Sequence, residues 1–121
     1  MKSRNLLDSF KYALMGIDEA FKQEKNLKIH TLAMILVVGA GLFFNISVVE
    51  WLFCLVAFAL VIGAEMINTS YEEMVNLLSP EKQKSAKYAK DIAAGAVLIF
   101  AFFSLVIGLI IFVPKIMKFF A

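Results

Sequence analysis

The 121-residue sequence has few of the residues on which several common kinds of function depend. Its single cysteine, Cys54, excludes an intrachain disulfide and the cysteine clusters that hold zinc or iron–sulfur groups. No segment matches the glycine-rich phosphate loop GxxxxGK[ST], and the closely spaced Gly39 and Gly41 stand inside an apolar run. A nucleotide, if one binds, must therefore be held by side chains on helices together with a metal ion.

Charge is scarce as well. Asp, Glu, Lys and Arg make up 18% of the residues and the formal net charge is +2, which excludes a general electrostatic attraction to nucleic acid. Apolar residues are abundant. Hydrophobic residues make up 61% of the sequence, well above their share in a soluble globular domain, and the mean hydropathy is +0.81. The first 28 residues carry charges throughout, unlike a cleavable signal peptide. We therefore expect an integral membrane protein.

The distribution of apolar residues predicts an all-α membrane protein with one domain, residues 1–121. Three apolar runs approach or reach the length that crosses a bilayer: residues 29–46, residues 48–67 with a helical extension to 78, and residues 92–113. Before them, about residues 3–28 alternate apolar and charged positions at helical spacing, which predicts an amphipathic helix on the membrane surface. A plain anchor helix would show the same pattern. The two prolines set expected boundaries, with Pro80 opening the last helix and Pro114 ending it.

The basic residues predict the orientation in the membrane. They precede the first span (Lys2, Arg4, Lys11, Lys22, Lys25, Lys28) or separate the second from the third (Lys82, Lys84, Lys87, Lys90). Since positive residues favour the cytoplasmic side, the amino terminus and the second connection are expected there, in a multi-pass protein of the cell membrane. Lys115 and Lys118, on the opposite side, are a minor exception.

Polar groups gather near the predicted inner end of the second span. At 100° per residue, Glu65, Asn68 and Glu72 lie within roughly 60° of one another, whereas Glu73 points away. One carboxylate on this face is suited to bind Mg²⁺, and another to accept a proton from a hydroxyl group. An ionised Glu65 at the hydrocarbon boundary is costly unless paired or hydrated. The alternative is an interhelical polar contact that holds an oligomer together.

The third span begins with a second candidate site, Lys90 and Asp91, followed by small residues at 93–96. A lysine beside an acid at the membrane boundary is suited to bind phosphate and orient a partner group. The alternative is a snorkelling lysine next to a helix-packing motif.

Two segments resemble the prokaryotic diacylglycerol kinase family. Residues 65–72 (EMINTSYE) and 89–97 (AKDIAAGAV) are similar to its motifs E-x-x-N-[ST]-A-[IL]-E and A-K-D-x-A-[AS]-[AG]-A-V. Residues 16–17 and 24–30 further resemble the G-[IL]-x₆-E-R-N-x-x-I-H segment of its Gram-positive branch, which phosphorylates undecaprenol rather than mainly diacylglycerol. The match extends over almost the whole chain. It implies an undecaprenol kinase, with a diacylglycerol kinase that makes phosphatidic acid as the alternative.

The resemblance further implies a homotrimer whose subunits share active sites at the cytoplasmic face, with transfer of the γ-phosphoryl group of ATP to a lipid hydroxyl in the presence of Mg²⁺. Carried over by motif, the site residues are Glu65 as general base with Asn68 ordering it, Glu24 and Glu72 as metal-binding acids, and Lys90 and Asp91 at the nucleotide. Tyr12 and Glu81 are further nucleotide-binding candidates whose surroundings match less closely.

The sequence departs from the family pattern at Asn76, where the family usually has Asp, and at residues 70–71, where Ser-Tyr replaces Ala-Ile. Asn76 removes a charge near the nucleotide, but no proposed metal ligand is lost. A different class of function is a small proton-coupled exporter or an oligomeric scaffold. In an exporter the acid is expected near the middle of a span, whereas Glu65 stands at the inner end.

Overall fold

Four α-helices form the computed structural model, which describes residues 5–81 and 83–121. They are α1 (Leu6–Gln23), α2 (Lys25–Phe43), α3 (Val48–Leu78) and α4 (Lys84–Phe119). The last three are long and apolar enough to cross a membrane. The predictions of an all-helical fold and of three membrane-spanning helices are confirmed. The predicted start of the surface helix at residue 3, and three of the basic residues used for orientation (Lys2, Arg4, Lys82), lie outside the described residues.

The segment predicted as one helix over about 3–28 is divided between α1 and α2. Asn5 caps α1, its side-chain oxygen accepting a hydrogen bond from the Asp8 N–H at 2.8 Å. Glu24 then has an extended backbone (φ −92°, ψ 113°), and α2 begins at Lys25. Apolar periodicity did not reveal this break, because a single residue separates the two helices. Asp18 lies 2.9 Å from Lys22 on α1, and its hydrogen bond raises the pKa of that ammonium group.

The connection between α2 and α3 is a tight turn at residues 44–47. Asn45 has φ 50°, the left-handed conformation that asparagine tolerates better than most residues. Ser47 and Glu50 then form a capping box, with the Glu50 N–H donating to Ser47 Oγ at 3.1 Å and the Ser47 N–H donating to Glu50 Oε1 at 2.9 Å. These local signals explain why α2 ends and α3 begins at residues 44–47.

The helices pack as a small antiparallel bundle, in which α3 contacts α4 most extensively and α2 lies against α3. A core of Ile46, Cys54, Ile111 and Phe112 is buried near the α2–α3 turn. Cys54 is thus a packing residue. Most other large apolar side chains are exposed on the single chain, for example Leu98 at 70%. Such a surface fits hydrocarbon or another subunit rather than water.

Both proline predictions were wrong. Pro80 lies in the connection before α4, whose first residue is Lys84 and whose N-cap is Gln83. Pro114 lies inside α4, which continues to Phe119. Pro114 has no N–H to donate, but a spanning segment keeps its helix because apolar surroundings offer the backbone no other partners. Beside it, the Lys115 ammonium donates to the Ile111 carbonyl at 3.2 Å and to Glu50 Oε2 at 2.6 Å, which ties this end of α4 to α3.

Candidate active site

Glu65 is a buried carboxylate on the inner face of α3. It is only 4% exposed, and the same stripe of the helix includes the buried Val61. His30, on α2 and less than one turn after the fully buried Leu27, places its Nε2 3.4 Å from Glu65 Oε1. A carboxylate without such a partner would be costly in this position. The packing of α2 on α3 therefore provides Glu65 with the polar neighbour that its burial requires.

Asn68 and Glu72 continue the same face toward the end of α3. The Asn68 side-chain N–H₂ donates to Glu72 Oε1 at 3.2 Å, and both residues are half-buried, whereas Glu73 is exposed. The carbonyl oxygen Asn68 Oδ1 is buried without a hydrogen-bond partner in the described part of the chain. A buried acceptor without a partner is uncommon and marks a place where a ligand atom can bind. The face predicted from helical spacing is thus the face that the bundle buries.

The acids proposed to bind metal are Glu24 and Glu72. Glu24 is half-buried at the junction of α1 and α2, and α1 contacts both α2 and α3. Within residues 5–81 and 83–121, no three His, Cys, Asp or Glu side chains lie close enough together to hold a metal ion. Mg²⁺ commonly takes only one or two protein carboxylates and completes its shell with water and phosphate oxygens. The residue types fit that ion, with the orphaned Asn68 Oδ1 as a further oxygen beside Glu72.

Lys90 and Asp91 have different partners, although they are adjacent in sequence. The Lys90 ammonium donates to Asn76 Oδ1 on α3, and Asp91 instead accepts from Lys87 on its own helix at 2.6 Å. Lys90 and Glu81 line the same cavity, of about 710 Å³, at the α3–α4 connection. Asp91 lines a neighbouring cavity of about 780 Å³. Two of the predicted nucleotide-binding residues are therefore brought together, and Asp91 faces a second opening.

Tyr12, at 49% exposure on α1, is not among the residues that line these two cavities. An apolar groove of about 430 Å³ runs between α2, α3 and α4 and has His30 among its lining residues. Its walls include Val61 and Ala101, and Ser104 is a polar exception.

Sequence reasoning gave no role to His30 or Lys87. In the sequence, His30 is only the last residue of the 24–30 segment that resembles the Gram-positive branch, and that resemblance assigns it no chemistry. The available clue was topological, since antiparallel α2 and α3 bring the start of one helix beside the far end of the other. Lys87 stands four residues before Asp91, the spacing at which helical side chains form ion pairs.

The fold and this cluster define a small helical membrane protein with a polar site at one end of its bundle. The family model of prokaryotic diacylglycerol kinase matches residues 11–112. Over 107 residues the chain is 38% identical to an undecaprenol kinase of Bacillus subtilis, covering 88% of this chain and 87% of that protein. It is 33% identical to a diacylglycerol kinase of Synechocystis over 94% of this chain and 66% of the other, and 26% identical to one of Haemophilus influenzae over 78% and 80%.

The chain therefore belongs to the prokaryotic diacylglycerol kinase family. The predictions of this family and of a lipid kinase are confirmed. This membership favours a lipid kinase over an exporter or a scaffold.

Proposed function

We propose that the chain is an ATP- and Mg²⁺-dependent undecaprenol kinase of the cell membrane that works at the cytoplasmic face. The observation that carries the proposal is the buried Glu65, in contact with His30 and on the same helix face as the Asn68–Glu72 pair. The choice of undecaprenol rests on the relative from Bacillus subtilis, which bears that name, and on the similarity of residues 24–30 to the Gram-positive branch.

The chemistry asks the protein for positioning and charge neutralisation more than for covalent work. Glu65 accepts the proton of the lipid hydroxyl as its oxygen attacks the γ-phosphorus of ATP. Lys90 binds phosphate oxygens, with Glu81, Asp91 and Tyr12 at the nucleotide, and Asn68 orders the acids beside it. When bound, Mg²⁺ would neutralise phosphate charge, and Glu24 and Glu72 are the side chains that would hold it.

The lipid tail has a suitable place beside this site. The apolar groove that His30 helps to line would accept hydrocarbon while the hydroxyl stays near Glu65. ATP would approach from water at the same end of the bundle, so the two substrates meet without extraction of the lipid.

The charge distribution and the exposed surface support the proposed orientation and assembly. The excess of basic residues before α2 and between α3 and α4 supports a cytoplasmic site. The exposed apolar side chains of α1, such as Leu6 and Phe10, support its position at the membrane surface. The exposed apolar faces of the spans support a homotrimer with shared sites.

A second candidate, diacylglycerol kinase activity, is favoured by the names of the Synechocystis and Haemophilus relatives. Both lipids present a hydroxyl group at the membrane surface, so the site chemistry is the same and only the tail differs.

The test is phosphate transfer by purified protein in mixed micelles. ATP labelled in its γ-phosphate is offered with undecaprenol or diacylglycerol at equal mole fraction, and the lipid products are separated by thin-layer chromatography. Undecaprenol is expected to react faster, and chelation of Mg²⁺ should stop the transfer. Faster labelling of diacylglycerol would favour the second candidate, and labelling of neither lipid would overturn both.

A further inference from the structure

The position of Glu65 creates a problem for a base that must act repeatedly. Its side chain is only 6% exposed, so a proton taken from the lipid hydroxyl has little direct access to water. The carboxylate must nevertheless lose that proton before the next turnover. A neighbouring group that both contacts Glu65 and reaches water would solve the problem.

His30 contacts Glu65 and lies near the charged start of α2, two residues after Lys28. Its Nε2 lies 3.4 Å from Glu65 Oε1, and its side chain is 27% exposed. Imidazole accepts a proton at one nitrogen and releases one from the other, which makes histidine the usual proton shuttle near neutral pH. The neighbouring Thr31 is engaged elsewhere, since its hydroxyl donates to the Leu27 carbonyl at 2.7 Å.

Other ionisable groups around His30 are sparse. On its own helix the nearest in sequence are Lys28 and Lys25, which follows the N-cap Glu24, and on α3 the contacting acid is Glu65 itself. The α4 side chains that line the same groove are apolar apart from Ser104. From α1, whose contacts reach both α2 and α3, the last charged side chain is Lys22, which is paired with Asp18. Among the described residues, His30 is therefore the ionisable side chain in contact with Glu65.

We propose that His30 is the proton acceptor that resets Glu65 in each turnover, an inference that rests on the proposed function. As the lipid oxygen forms its bond to the γ-phosphorus, its O–H bond breaks and the proton goes to Glu65, while the electron pair of the broken P–O bond leaves with ADP. Neutral Glu65 then gives this proton to His30 Nε2. The imidazolium then loses the Nδ1 proton to water, which leaves the Nε2–H tautomer. Proton exchange of the ring with water returns the Nδ1–H tautomer, so that both groups are restored before the next turnover.

The test compares His30→Gln and His30→Ala with wild type. Glutamine keeps a hydrogen-bonding group beside Glu65 but does not carry protons, so it separates the relay from simple positioning. We expect both variants to lower kcat at least about a hundredfold, the lower end of the range for acid–base groups, with KM for ATP and lipid changed less than about twofold. Thr31→Val, a change to the neighbouring polar residue, is the control and should retain wild-type kcat.

Rescue by small bases provides the second readout. Imidazole and methylated imidazoles added to His30→Ala should restore turnover, and the rescued rate should rise with the basicity of the added base. The same compounds should not rescue Glu65→Gln. If His30→Ala does not fold, which is checked by thermal unfolding in detergent, the kcat of His30→Gln decides the question.

Three results separate the possible failures. Normal kcat in His30→Gln, or rescue that is independent of basicity, would overturn the relay while the kinase assignment stands. Full activity of Glu65→Gln would overturn the proposed base and the relay with it. Absence of phosphate transfer by wild type to either lipid would overturn the proposed function.

Discussion

At the scale of single residues, Glu65 and Glu73 show how position on one helix separates a candidate base from a surface charge. Both are glutamates of α3, yet the first is buried and the second exposed. Helical spacing alone predicts this difference, because eight residues turn the side chain well away from its starting direction.

We predict that Glu65→Gln lowers phosphate transfer by about a hundredfold or more while the protein stays folded, because an amide cannot accept the hydroxyl proton. The rate is measured with labelled ATP, and folding by thermal unfolding in detergent. Glu73→Gln makes the same chemical change on the exposed face and should leave the rate near wild type. Equal rates for the two variants would remove Glu65 from the role of base.

The two proposed metal ligands give a separate prediction. In Glu24→Ala and Glu72→Ala, loss of a carboxylate oxygen should shift the magnesium dependence of the rate to higher concentration or abolish activity. Direct titration of the protein with Mn²⁺, followed by its paramagnetic signal in the presence of ATP, measures binding without turnover. Glu73→Ala is the matched control. An unchanged metal affinity in both variants would contradict their assignment.

Asn76 is the departure from the family pattern that the structure explains. Its side-chain oxygen accepts the hydrogen bond of Lys90, a task that Asp performs equally well. We therefore predict that Asn76→Asp retains activity, whereas Asn76→Leu, which has no acceptor, raises KM for ATP several-fold because Lys90 is no longer positioned. Steady-state kinetics with varied ATP measure both. Equal KM values in the two variants would show that Lys90 does not depend on this contact.

At the scale of helices, the close approach of α2 to the start of α3 depends on Gly41. A Cβ at this position would lie 2.5 Å from Cη2 and 2.8 Å from Cζ2 of Trp51. Gly39, half a turn earlier, has nothing within 4 Å of its hypothetical Cβ. The two glycines therefore form a matched pair in one helix.

We predict that Gly41→Ala destabilises the protein by about 1–3 kcal/mol, because the indole ring and the turn must shift. Gly39→Ala should be neutral or stabilising by up to about 1 kcal/mol, since alanine is the better helix former. Unfolding in mixed detergent micelles, followed by circular dichroism, compares the variants. Equal stability of the two would mean that Trp51 moves aside without cost.

The helix boundaries show what could be predicted from the sequence and what could not. Length and apolarity located three spans, because hydrocarbon thickness sets the number of residues needed. Pro114 misled the prediction because the signal that usually ends a helix in water is weaker than the need to satisfy backbone groups in an apolar environment. The break at Glu24 depends on how α1 packs against α2 and α3, which local periodicity does not contain.

The contacts of the site also fall into two groups, those that could be predicted from the sequence and those that could not. The shared face of Glu65, Asn68 and Glu72 follows from the helical period and was predictable. The contact of His30 with Glu65 depends on the depth at which α2 meets α3, and that of Lys90 with Asn76 depends on the α3–α4 connection. Such contacts between helices are set by packing, so no spacing within one segment reveals them.

At the scale of the whole molecule, the distance between Glu65 and the Lys90–Asn76 contact indicates how subunits share a site. Lys90 is held at Asn76, which stands eleven residues beyond Glu65 on the same helix. With a rise of 1.5 Å per residue, the two positions are about 16 Å apart along α3. A γ-phosphoryl group near Glu65 is thus far from the Lys90 of its own chain. This separation favours a site in which a neighbouring subunit supplies the lysine.

Mixing two inactive variants tests this arrangement. In a trimer formed at random from equal amounts of Glu65→Gln and Lys90→Ala subunits, a site that takes Glu65 from one subunit and Lys90 from the next is intact in about a quarter of cases. We therefore predict about a quarter of wild-type phosphate transfer from the mixture, measured after refolding the two together in detergent. Each variant refolded alone should be inactive. If both residues of a site belong to one chain, every subunit carries a defect, and a mixture as inactive as its components would contradict the shared site.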